Sequence, residues 1–399
     1  MKKLILTASI ALLTLPAFSQ QALFDGAQVK SPEINPNNTV TFRLYAPNAK
    51  EVTVTGDFLP TQPIETPFGS WKAPGVAPLT KGDNGVWEYT TPDPLAPELY
   101  MYSFAVDSLR MMDPANVYMN RDVATVTNIF LIDEPGSRAH NYKVNDVPHG
   151  TVSRVWYDSP GLNAKRRMTI YTPPGYEDSN ASYPVFYLLH GAGGDEEAWI
   201  NLGRTAQIMD NLIAEGKAEP MIVVMTNGNA VQTAAPGESA EGFVTPSMDV
   251  SRMNRGEFET AFPDVVNYVD KHYRTKADKQ HRAIAGLSMG GYHSLHTSKM
   301  YPDMFDYVGL FSAAIFPPEN SQAPVYQDFE GKLATQFEKN PKLYWIAIGD
   351  EDFLYQDNTK YRQLLDEKGY PYVYYETPEG HIWKNWRIYL TEFAPQLFK

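Results

Sequence analysis

Residues 284–291 of the chain read Ile-Ala-Gly-Leu-Ser-Met-Gly-Gly, which places Ser288 at the centre of a G-x-S-x-G pentapeptide. An apolar, strand-like run at residues 281–285 leads directly into it. Where a strand turns sharply into a helix, glycines on either side of the serine let the two elements approach closely. The hydroxyl is then exposed at a helix N-terminus, where free backbone N–H groups can stabilise a developing oxyanion. The pattern predicts a nucleophilic serine on a strand-to-helix turn.

Two later segments supply the partners that such a serine requires. The apolar run 343–348 ends in Gly349-Asp350-Glu351-Asp352, and the run 372–376 leads to His381. A serine is a weak nucleophile until a histidine accepts its proton, and a carboxylate holds that histidine in the useful tautomer. We expect His381 to be this base. Spacing alone does not separate Asp350, Glu351 and Asp352 as the acid.

A third segment is suited to stabilising the oxyanion. Residues 190–193 read His-Gly-Ala-Gly and follow the apolar strand predicted at 185–189. Small residues there allow backbone N–H groups to approach a substrate closely. We assign one oxyanion donor to the amide of Ala192 and the other to Met289, the residue after the serine. His190 is expected to be a structural hydrogen-bonding residue.

Other chemistries explain the sequence less well. His293 and His296 lie three residues apart on the helix predicted after the serine, but no third ligand is evident, so neither a metal nor a cofactor is expected. Two pairs of carboxylates could suggest the paired acids of a glycosidase, namely Glu376 with Glu379 and Asp350 with Asp352. The serine machinery accounts better for those positions.

The N-terminus and the composition limit the location and the partners. The chain begins Met-Lys-Lys, continues apolar to Leu15, and reaches Ala17-Phe18-Ser19, which predicts a signal peptide at residues 1–19 and a secreted or periplasmic bacterial protein. The apolar stretch is shorter than a bilayer span, so no membrane insertion is expected after cleavage. With 47 acidic and 34 basic residues, the formal net charge is −13, which makes nucleic acid a poor partner. There is no cysteine.

The texture of the sequence divides the chain into two domains. Residues 20–133 contain short alternating strands, which predict an immunoglobulin-like β-sandwich; the clearest are 40–45, 52–57, 86–90 and 100–107. Residues 134–150 are polar and rich in proline and glycine and are interpreted as a linker. Residues 151–399 begin with a predicted hairpin at 152–157 and 167–171, and then alternate apolar strands with helices predicted at 258–272, 290–300 and 358–368. This alternation favours an α/β fold with a largely parallel sheet. In the last helix, Asn358 is the expected cap and Gly369 the expected stop.

Four ordered motifs in residues 150–399 resemble the esterase D-type hydrolases of carbohydrate esterase family 1. They are the segments 187–194, 285–291, the Gly349-x-x-Asp352-Phe353 turn, and Gly380-His381-x-Trp383-x-x-Trp386-Arg387. The resemblance implies an α/β-hydrolase fold and a Ser288–His381–Asp352 triad, since the acid of that family is the fourth residue of the turn. One departure is Glu379-Gly380-His381-Ile382, where many relatives carry Gly-Gly-His-Asp.

The N-terminal domain resembles the early-set modules of carbohydrate-binding-module family 48. The similarity lies in residues 43–49, in Gly56-Asp57-Phe58 and in residues 113–116. It implies the fold of that module and leaves open whether the domain binds carbohydrate.

Together these resemblances imply a feruloyl esterase that releases hydroxycinnamates from plant arabinoxylan. Alternatives are an acetylxylan esterase, a siderophore esterase of the enterochelin type and, in a different class, a glycan-binding protein with an inactive hydrolase domain. The long stretch 227–256 is expected to shape substrate choice. Trp199 and Trp383 flank the predicted site in sequence and are candidate substrate contacts. The oligomeric state is left open.

Overall fold

The chain is described by a computed structural model that covers residues 29–66, 69–248, 253–318 and 321–399. The predicted signal peptide, residues 1–19, lies outside these described residues. The N-terminal domain contains twelve strands within the described part of the chain. They are β1 (Glu33–Ile34), β2 (Val40–Tyr45), β3 (Val52–Gly56), β4 (Gln62–Thr66), β5 (Gly69–Ala73), β6 (Gly75–Pro78), β7 (Thr80–Lys81), β8 (Val86–Thr90), β9 (Glu98–Val106), β10 (Leu109–Met111), β11 (Met119–Asp122) and β12 (Thr125–Ile132).

These strands form a sandwich because alternate side chains point inward. One antiparallel sheet has the order β1-β2-β8-β7; the other has the order β11-β12-β9-β3-β6, with β10 paired to β9, and β4 and β5 form a separate hairpin. Along β3 every second residue is buried. Phe42, Val54 and Phe104 are fully buried between the two sheets. The sandwich predicted from the alternating pattern is confirmed.

The C-terminal domain is built on one eight-stranded sheet. Its strands are β13 (Thr151–Ser159), β14 (Ala164–Thr172), β15 (Val185–Leu189), β16 (Ile222–Thr226), β17 (Arg282–Leu287), β18 (Tyr307–Phe311), β19 (Leu343–Gly349) and β20 (Val373–Thr377). The order is β13-β14-β16-β15-β17-β18-β19-β20. The first two strands form the predicted hairpin, β14 is antiparallel to β16, and the remaining pairs are parallel. This is the strand order of the α/β-hydrolase fold.

Helices cover both faces of this sheet, which explains its continuous apolar strands. They are α1 (Ala198–Asn201), α2 (Thr205–Ala214), α3 (Glu257–His272), α4 (Met289–Met300), α5 (Phe329–Glu338), α6 (Tyr355–Lys368) and α7 (Trp383–Phe393). Helices α1, α2 and α7 pack on one face, and α3 to α6 pack on the other. Within the described part of the chain, none of the helices is both long and apolar enough to span a bilayer.

The prediction that Asn358 caps helix α6 is wrong. Helix α6 begins at Tyr355, so Asn358 lies inside its first turn. The Asn358 side chain is buried, and its Nδ2 donates to the carbonyl of Ala313 at 2.8 Å, so it connects the helix to the loop after β18. Gly369 ends the helix as predicted, in the left-handed conformation with φ 70°.

The predicted linker, residues 134–150, differs in the structure from a free connection. Residues Arg138–Tyr142 form a 3-10 helix. Ala139 and Tyr142 are buried in the core of the esterase domain. The Nδ2 of Asn211, on α2, donates to the carbonyls of Asn141 and Lys143, each at 3.0 Å. The segment therefore packs into the C-terminal domain despite its polar sequence.

Candidate active site

Ser288 occupies the turn between β17 and α4 in a rare backbone conformation, with φ 53° and ψ −113°. Such angles cost energy for a residue with a side chain and persist only where the surroundings enforce them. The two flanking glycines allow the turn. A Cβ on Gly286 would lie 2.5 Å from the carbonyl oxygen of Gly290, and a Cβ on Gly290 would lie 2.3 Å from the carbonyl oxygen of Leu189.

Neighbouring strands hold this turn in place. The N–H of Ser288 donates to the carbonyl of Phe311, at the end of β18, at 2.9 Å, and the N–H of Ala314 donates to the carbonyl of Ser288 at 3.1 Å. The Ser288 side chain is partly exposed and does not cap its own helix. The hydroxyl therefore lies on an accessible, fixed turn at the carboxyl edge of the sheet.

His381 and Asp352, predicted on two different loops, meet in the structure. The Nδ1 of His381 lies 2.8 Å from Oδ2 and 3.0 Å from Oδ1 of Asp352. The Asp352 side chain is fully buried and also accepts a hydrogen bond from the N–H of Leu354 at 2.9 Å. A buried carboxylate that accepts from Nδ1 fixes the imidazole so that Nε2 faces the opposite direction. By contrast, Asp350 and Glu351 are exposed.

Sequence reasoning missed the contacts that position the histidine loop. The N–H of Glu351 donates to the carbonyl of Glu379 at 3.1 Å and joins the acid loop to the histidine loop. The buried Asn385 donates through Nδ2 to the carbonyls of Pro378 and Gly380, at 3.0 and 2.9 Å. Asn385 follows His381 by four residues, and a single sequence contains no recognisable signal for its bonds to the histidine loop.

Aromatic rings enclose the imidazole. The His381 ring lies 4.6 Å from that of Phe353 and 4.9 Å from that of Trp386, measured between centroids. Its side chain is 13% exposed, so one edge remains open. Within the described part of the chain, Ser288 and His381 are not hydrogen-bonded to each other. In proteins without a bound substrate such catalytic bonds are often long and tighten only in the complex.

The loop that follows β15 lies beside the serine. A Cβ on Gly191 would be 3.2 Å from the Cβ of Ser288, so the main chain before Ala192 passes next to the hydroxyl-bearing residue. Met289 is the first residue of α4, and the first N–H groups of a helix have no intrahelical acceptor. The two predicted oxyanion donors thus flank the serine from two different elements.

His190 has the structural role predicted for it. Its side chain is buried; Nδ1 lies 2.7 Å from the carbonyl of Gly191, and Nε2 accepts from the N–H of Gly228 at 2.7 Å. Burial lowers the pKa of His190 to about 4. The ring is therefore neutral near pH 7 and ties the loop after β15 to the loop after β16.

A cavity of about 210 Å³ adjoins this oxyanion region. It is lined by described residues of the segment 227–256, which is expected to shape substrate choice, together with residues of α3 and α4. Its walls include Gly193 and combine the apolar side chains of Val244, Met253, Phe258 and Met289 with polar groups that include Gln232 and Glu241. The cavity therefore begins at the two candidate oxyanion elements.

His293 also lines this cavity, and the structure gives it a carboxylate partner instead of a metal-like pairing with His296. Its Nδ1 lies 2.8 Å from Oε1 of Glu259, and both side chains are buried. His296 instead directs Nε2 to the carbonyl of Ile315 at 3.1 Å. Sequence reasoning singled out His293 but missed Glu259, which lies on a different helix.

The prediction that Trp199 and Trp383 contact substrate is corrected by their burial. Trp199 is 1% exposed and donates its indole N–H to the carbonyl of Leu189 at 2.8 Å, which anchors the strand before the oxyanion loop. Trp383 is 5% exposed, and its ring packs edge-on against those of Trp199 and Trp386. Both belong to the hydrophobic core because α1 and α7 bring their large rings together beneath the loops.

A serine on a strained strand-to-helix turn, a histidine–carboxylate pair after the later strands and flanking N–H groups are the arrangement of an α/β serine hydrolase. Residues 159–397 match the family model described as "Putative esterase", and residues 26–118 match that of carbohydrate-binding module 48, the isoamylase N-terminal domain. The chain belongs to this esterase family and is a carboxylic ester hydrolase with an N-terminal module of the second family.

Three individual proteins are similar to this chain in sequence or in structure. It is 29% identical over 374 residues, 92% of its length, to an endo-1,4-β-xylanase/feruloyl esterase of Xylanibacter ruminicola, and spans 46% of that protein. A ferulic acid esterase from Anaeromyces mucronatus, solved with ferulic acid, is 27% identical with a TM-score of 0.51, over 64% of this chain and 93% of that one. The enterobactin esterase of Shigella flexneri has a TM-score of 0.60 at 16% identity, over 90% of this chain and 93% of that one, and so shares the fold of both domains. The chain spans about half the length of the first curated relative.

Proposed function

We propose that the protein is a feruloyl esterase that releases hydroxycinnamates from arabinoxylan through a Ser288–His381–Asp352 triad. The observation that carries the proposal is the cavity of about 210 Å³ that adjoins Gly193 and Met289 and has an apolar wall at Val244, Met253 and Phe258. An acyl group whose carbonyl oxygen lies between the N–H groups of Ala192 and Met289 can extend into this cavity. A flat aromatic acyl group suits walls formed by Phe258, Met253 and Val244, whereas an acetyl group would leave most of the volume unfilled.

The chemistry follows from the positions of the side chains. Oγ of Ser288 attacks the ester carbonyl carbon while Nε2 of His381 accepts the hydroxyl proton, and Asp352 stabilises the resulting imidazolium. The amides of Ala192 and Met289 stabilise the tetrahedral oxyanion. When the carbon–oxygen bond to the sugar breaks, His381 returns the proton to the leaving alcohol. Water then attacks the acyl-enzyme with His381 as base, which frees the acid and restores the serine.

Two relatives support the acyl group in this proposal, since one is named for feruloyl esterase activity and another was solved with ferulic acid. Secretion remains an expectation from the signal sequence, because residues 1–19 lie outside the described part of the chain.

The test compares acyl groups on the purified protein. We expect release of ferulate from arabinoxylan and from methyl ferulate, with much slower release of acetate from acetylated xylan. Ser288→Ala should abolish turnover while leaving the melting temperature close to that of the wild type. Faster acetate release would favour an acetylxylan esterase. Hydrolysis of neither polysaccharide ester would contradict the proposed substrate, and turnover by Ser288→Ala would contradict the assigned nucleophile.

A further inference from the structure

A hairpin of the N-terminal domain reaches the candidate oxyanion loop of the esterase domain. Strands β11 and β12 pair antiparallel, with Asp122 opposite Thr125, so that Val123 and Ala124 form the tip. Val123 adopts the left-handed region with φ 52°, which is unfavourable for a β-branched residue. Such a backbone conformation persists only where surrounding contacts enforce it.

Arg121, next to this tip, forms an ion pair across the two domains. Its Nη2 lies 2.5 Å from Oδ2 of Asp195, and its Nη1 donates to the carbonyl of Val123 at 3.0 Å. The Asp195 side chain is 2% exposed. One guanidinium therefore holds both the hairpin tip and a buried carboxylate of the other domain, as its planar set of donors allows.

Asp195 lies near the end of the loop that begins at His190, and it is itself hydrogen-bonded to the turn that leads into α1. Its Oδ1 accepts from the N–H of Glu197 at 3.0 Å, and its carbonyl accepts from the N–H of Ala198 at 3.0 Å. Asp195 thus joins the hairpin, through its carboxylate, to the oxyanion loop and the start of α1.

The hairpin tip also packs directly on the oxyanion loop at Gly193. A Cβ on this glycine would lie 2.8 and 2.9 Å from the two methyl carbons of Val123, and 2.7 Å from Sδ of Met248. Gly193 has φ 74°, which favours glycine as well. The loop is therefore enclosed between the N-terminal domain on one side and Ser288, next to Gly191, on the other.

A further contact holds the same hairpin to the histidine side of the site. The Asp122 carboxylate is hydrogen-bonded by the side chain of Trp383, which begins the helix after His381. Burial raises the pKa of Asp122, and this hydrogen bond offsets part of the change. The tip is thus attached to both halves of the candidate site.

From these contacts we infer that Arg121 is a positioning residue that fixes the Ala192 amide for oxyanion stabilisation across the domain boundary. The inference rests on the proposed serine mechanism but not on the identity of the acyl group. Loss of one oxyanion donor typically reduces kcat by about 10²–10³-fold. Since removal of Arg121 displaces the donor without deleting it, we expect a decrease of about 10- to 100-fold in kcat with KM changed less than threefold.

The experiment uses the full-length protein and p-nitrophenyl acetate, an ester that any serine esterase of this type should cleave. The variants are Arg121→Ala, Arg121→Lys and Asp195→Asn, with Arg138→Ala as the matched control. Arg138 also forms an ion pair, with Glu392 at 3.0 Å, but both side chains are about 40% exposed. We expect the control to keep wild-type kcat, and Arg121→Lys to lie between the wild type and Arg121→Ala.

Two further measurements separate positioning from general stabilisation. Binding of a boronic acid, which forms a tetrahedral adduct with the serine, should weaken in parallel with kcat, because the adduct uses the same donors. Amide hydrogen exchange at residues 190–195 should accelerate in Arg121→Ala more than exchange in β15. Wild-type kcat, or a loss of melting temperature without a change in kcat and boronate affinity, would overturn the inference. If the wild type cleaves no ester, the proposed mechanism is wrong. The exchange measurement does not depend on that result, since unchanged exchange at residues 190–195 in Arg121→Ala would by itself contradict the role of Arg121.

Discussion

At the scale of single residues, Asp350 and Asp352 show how two aspartates of one loop can differ in burial and in hydrogen bonding. Asp352 is fully buried and 2.8 Å from His381, while Asp350 is exposed. We predict that Asp352→Asn reduces kcat by about 10³- to 10⁴-fold, because an amide does not hold the imidazole in the required tautomer. Asp350→Asn is the matched control and should remain within about twofold of the wild type in steady-state kinetics. Equal losses in both variants would contradict the assignment of the acid.

The sequence predicted the serine and the histidine from their positions after apolar strands, but spacing left three acidic residues open. A family resemblance chose Asp352, and the structure supplies the physical reason through burial and the bond to His381. The two tryptophans were placed wrongly because position along the chain does not reveal burial. Whether a ring lines a cavity or fills the core depends on neighbours contributed by other helices.

Lys299 is a residue whose cost to folding can be measured. Its side chain is buried on α4, and its Nζ lies 3.3 Å from the centroid of the Phe329 ring. Burial lowers the pKa of Lys299 to about 6, even though a ring face partly favours the charged form. Between pH 6 and its ordinary value of 10.5, the unfolded chain keeps the proton that the folded chain releases. This group therefore opposes folding, and its cost decreases as pH rises through that window.

We predict that Lys299→Met increases the free energy of unfolding at pH 8 by about 3 kcal/mol, because pH 8 lies 2.5 units below the ordinary pKa of 10.5 and each unit is worth about 1.4 kcal/mol. The gain should shrink toward pH 10. Urea unfolding at pH 7, 8 and 9.5 measures it, with Lys339→Met, an exposed lysine, as the control expected to change stability by less than about 0.5 kcal/mol. A gain that does not vary with pH would show that titration is not its cause.

At the scale of elements, His190 joins the two loops that border the site. Its lowered pKa of about 4 means that between pH 6.5 and 4 the unfolded chain binds a proton that the folded chain does not. The buried, neutral His190 ring therefore stabilises the fold fully above pH 6.5, and this stabilisation is lost as the pH falls toward 4. Near pH 4, protonation of Nε2 also breaks the bond from the N–H of Gly228.

We predict that His190→Gln makes stability less dependent on pH in this range. The slope of the free energy of unfolding between pH 6.5 and 4.5 should be lower than in the wild type by up to about 1.4 kcal/mol per pH unit. Urea titrations at three pH values provide the comparison, and the slope is informative even if the variant is less stable at pH 7. An unchanged slope would contradict the neutral, buried state of His190.

Strands were predicted more accurately than helix ends and connections. Continuous apolar runs mark strands such as β15 and β17, because both faces of the sheet are covered. The start of α6 was misplaced because Asn358, a typical cap residue, is instead used for a tertiary bond to Ala313. The polar segment 134–150 was interpreted as a linker because its sequence does not show that Tyr142 packs beneath α7.

At the scale of the whole molecule, a buried ion pair joins the two domains. The Nη2 of Arg387 lies 3.0 Å from Oε1 of Glu98, with 2% and 9% of the side chains exposed, and Arg387 also donates to the carbonyls of Leu99 and Leu202. Glu98 and Leu99 belong to the β-sandwich, while Leu202 follows α1 of the esterase domain. We therefore expect the domains to unfold together in a single transition.

We predict that Glu98→Ala lowers the free energy of unfolding by about 3 kcal/mol, because it leaves the Arg387 charge buried without a counter-ion. Glu392→Ala removes an exposed ion pair with Arg138 and should cost less than about 1 kcal/mol. Scanning calorimetry of both variants measures the loss and the number of transitions. Two separate transitions in the wild type would contradict the coupling.

The sequence identified both domains but not their attachment. Arg121 and Asp195 are 74 positions apart, and Glu98 and Arg387 are 289 apart. Each of these residues is an ordinary surface type in its local segment. Only the three-dimensional arrangement shows that they are paired.

The bond between His190 and Gly228 sets a rule for exchanging substrate loops among related esterases. What His190 requires at position 228 is a backbone N–H, which every residue except proline provides. A side chain there would first meet the end of the flexible Met289 side chain, 3.3 Å away. A segment that replaces residues 228–256 therefore preserves this bond to His190, whatever its length, as long as it does not begin with proline.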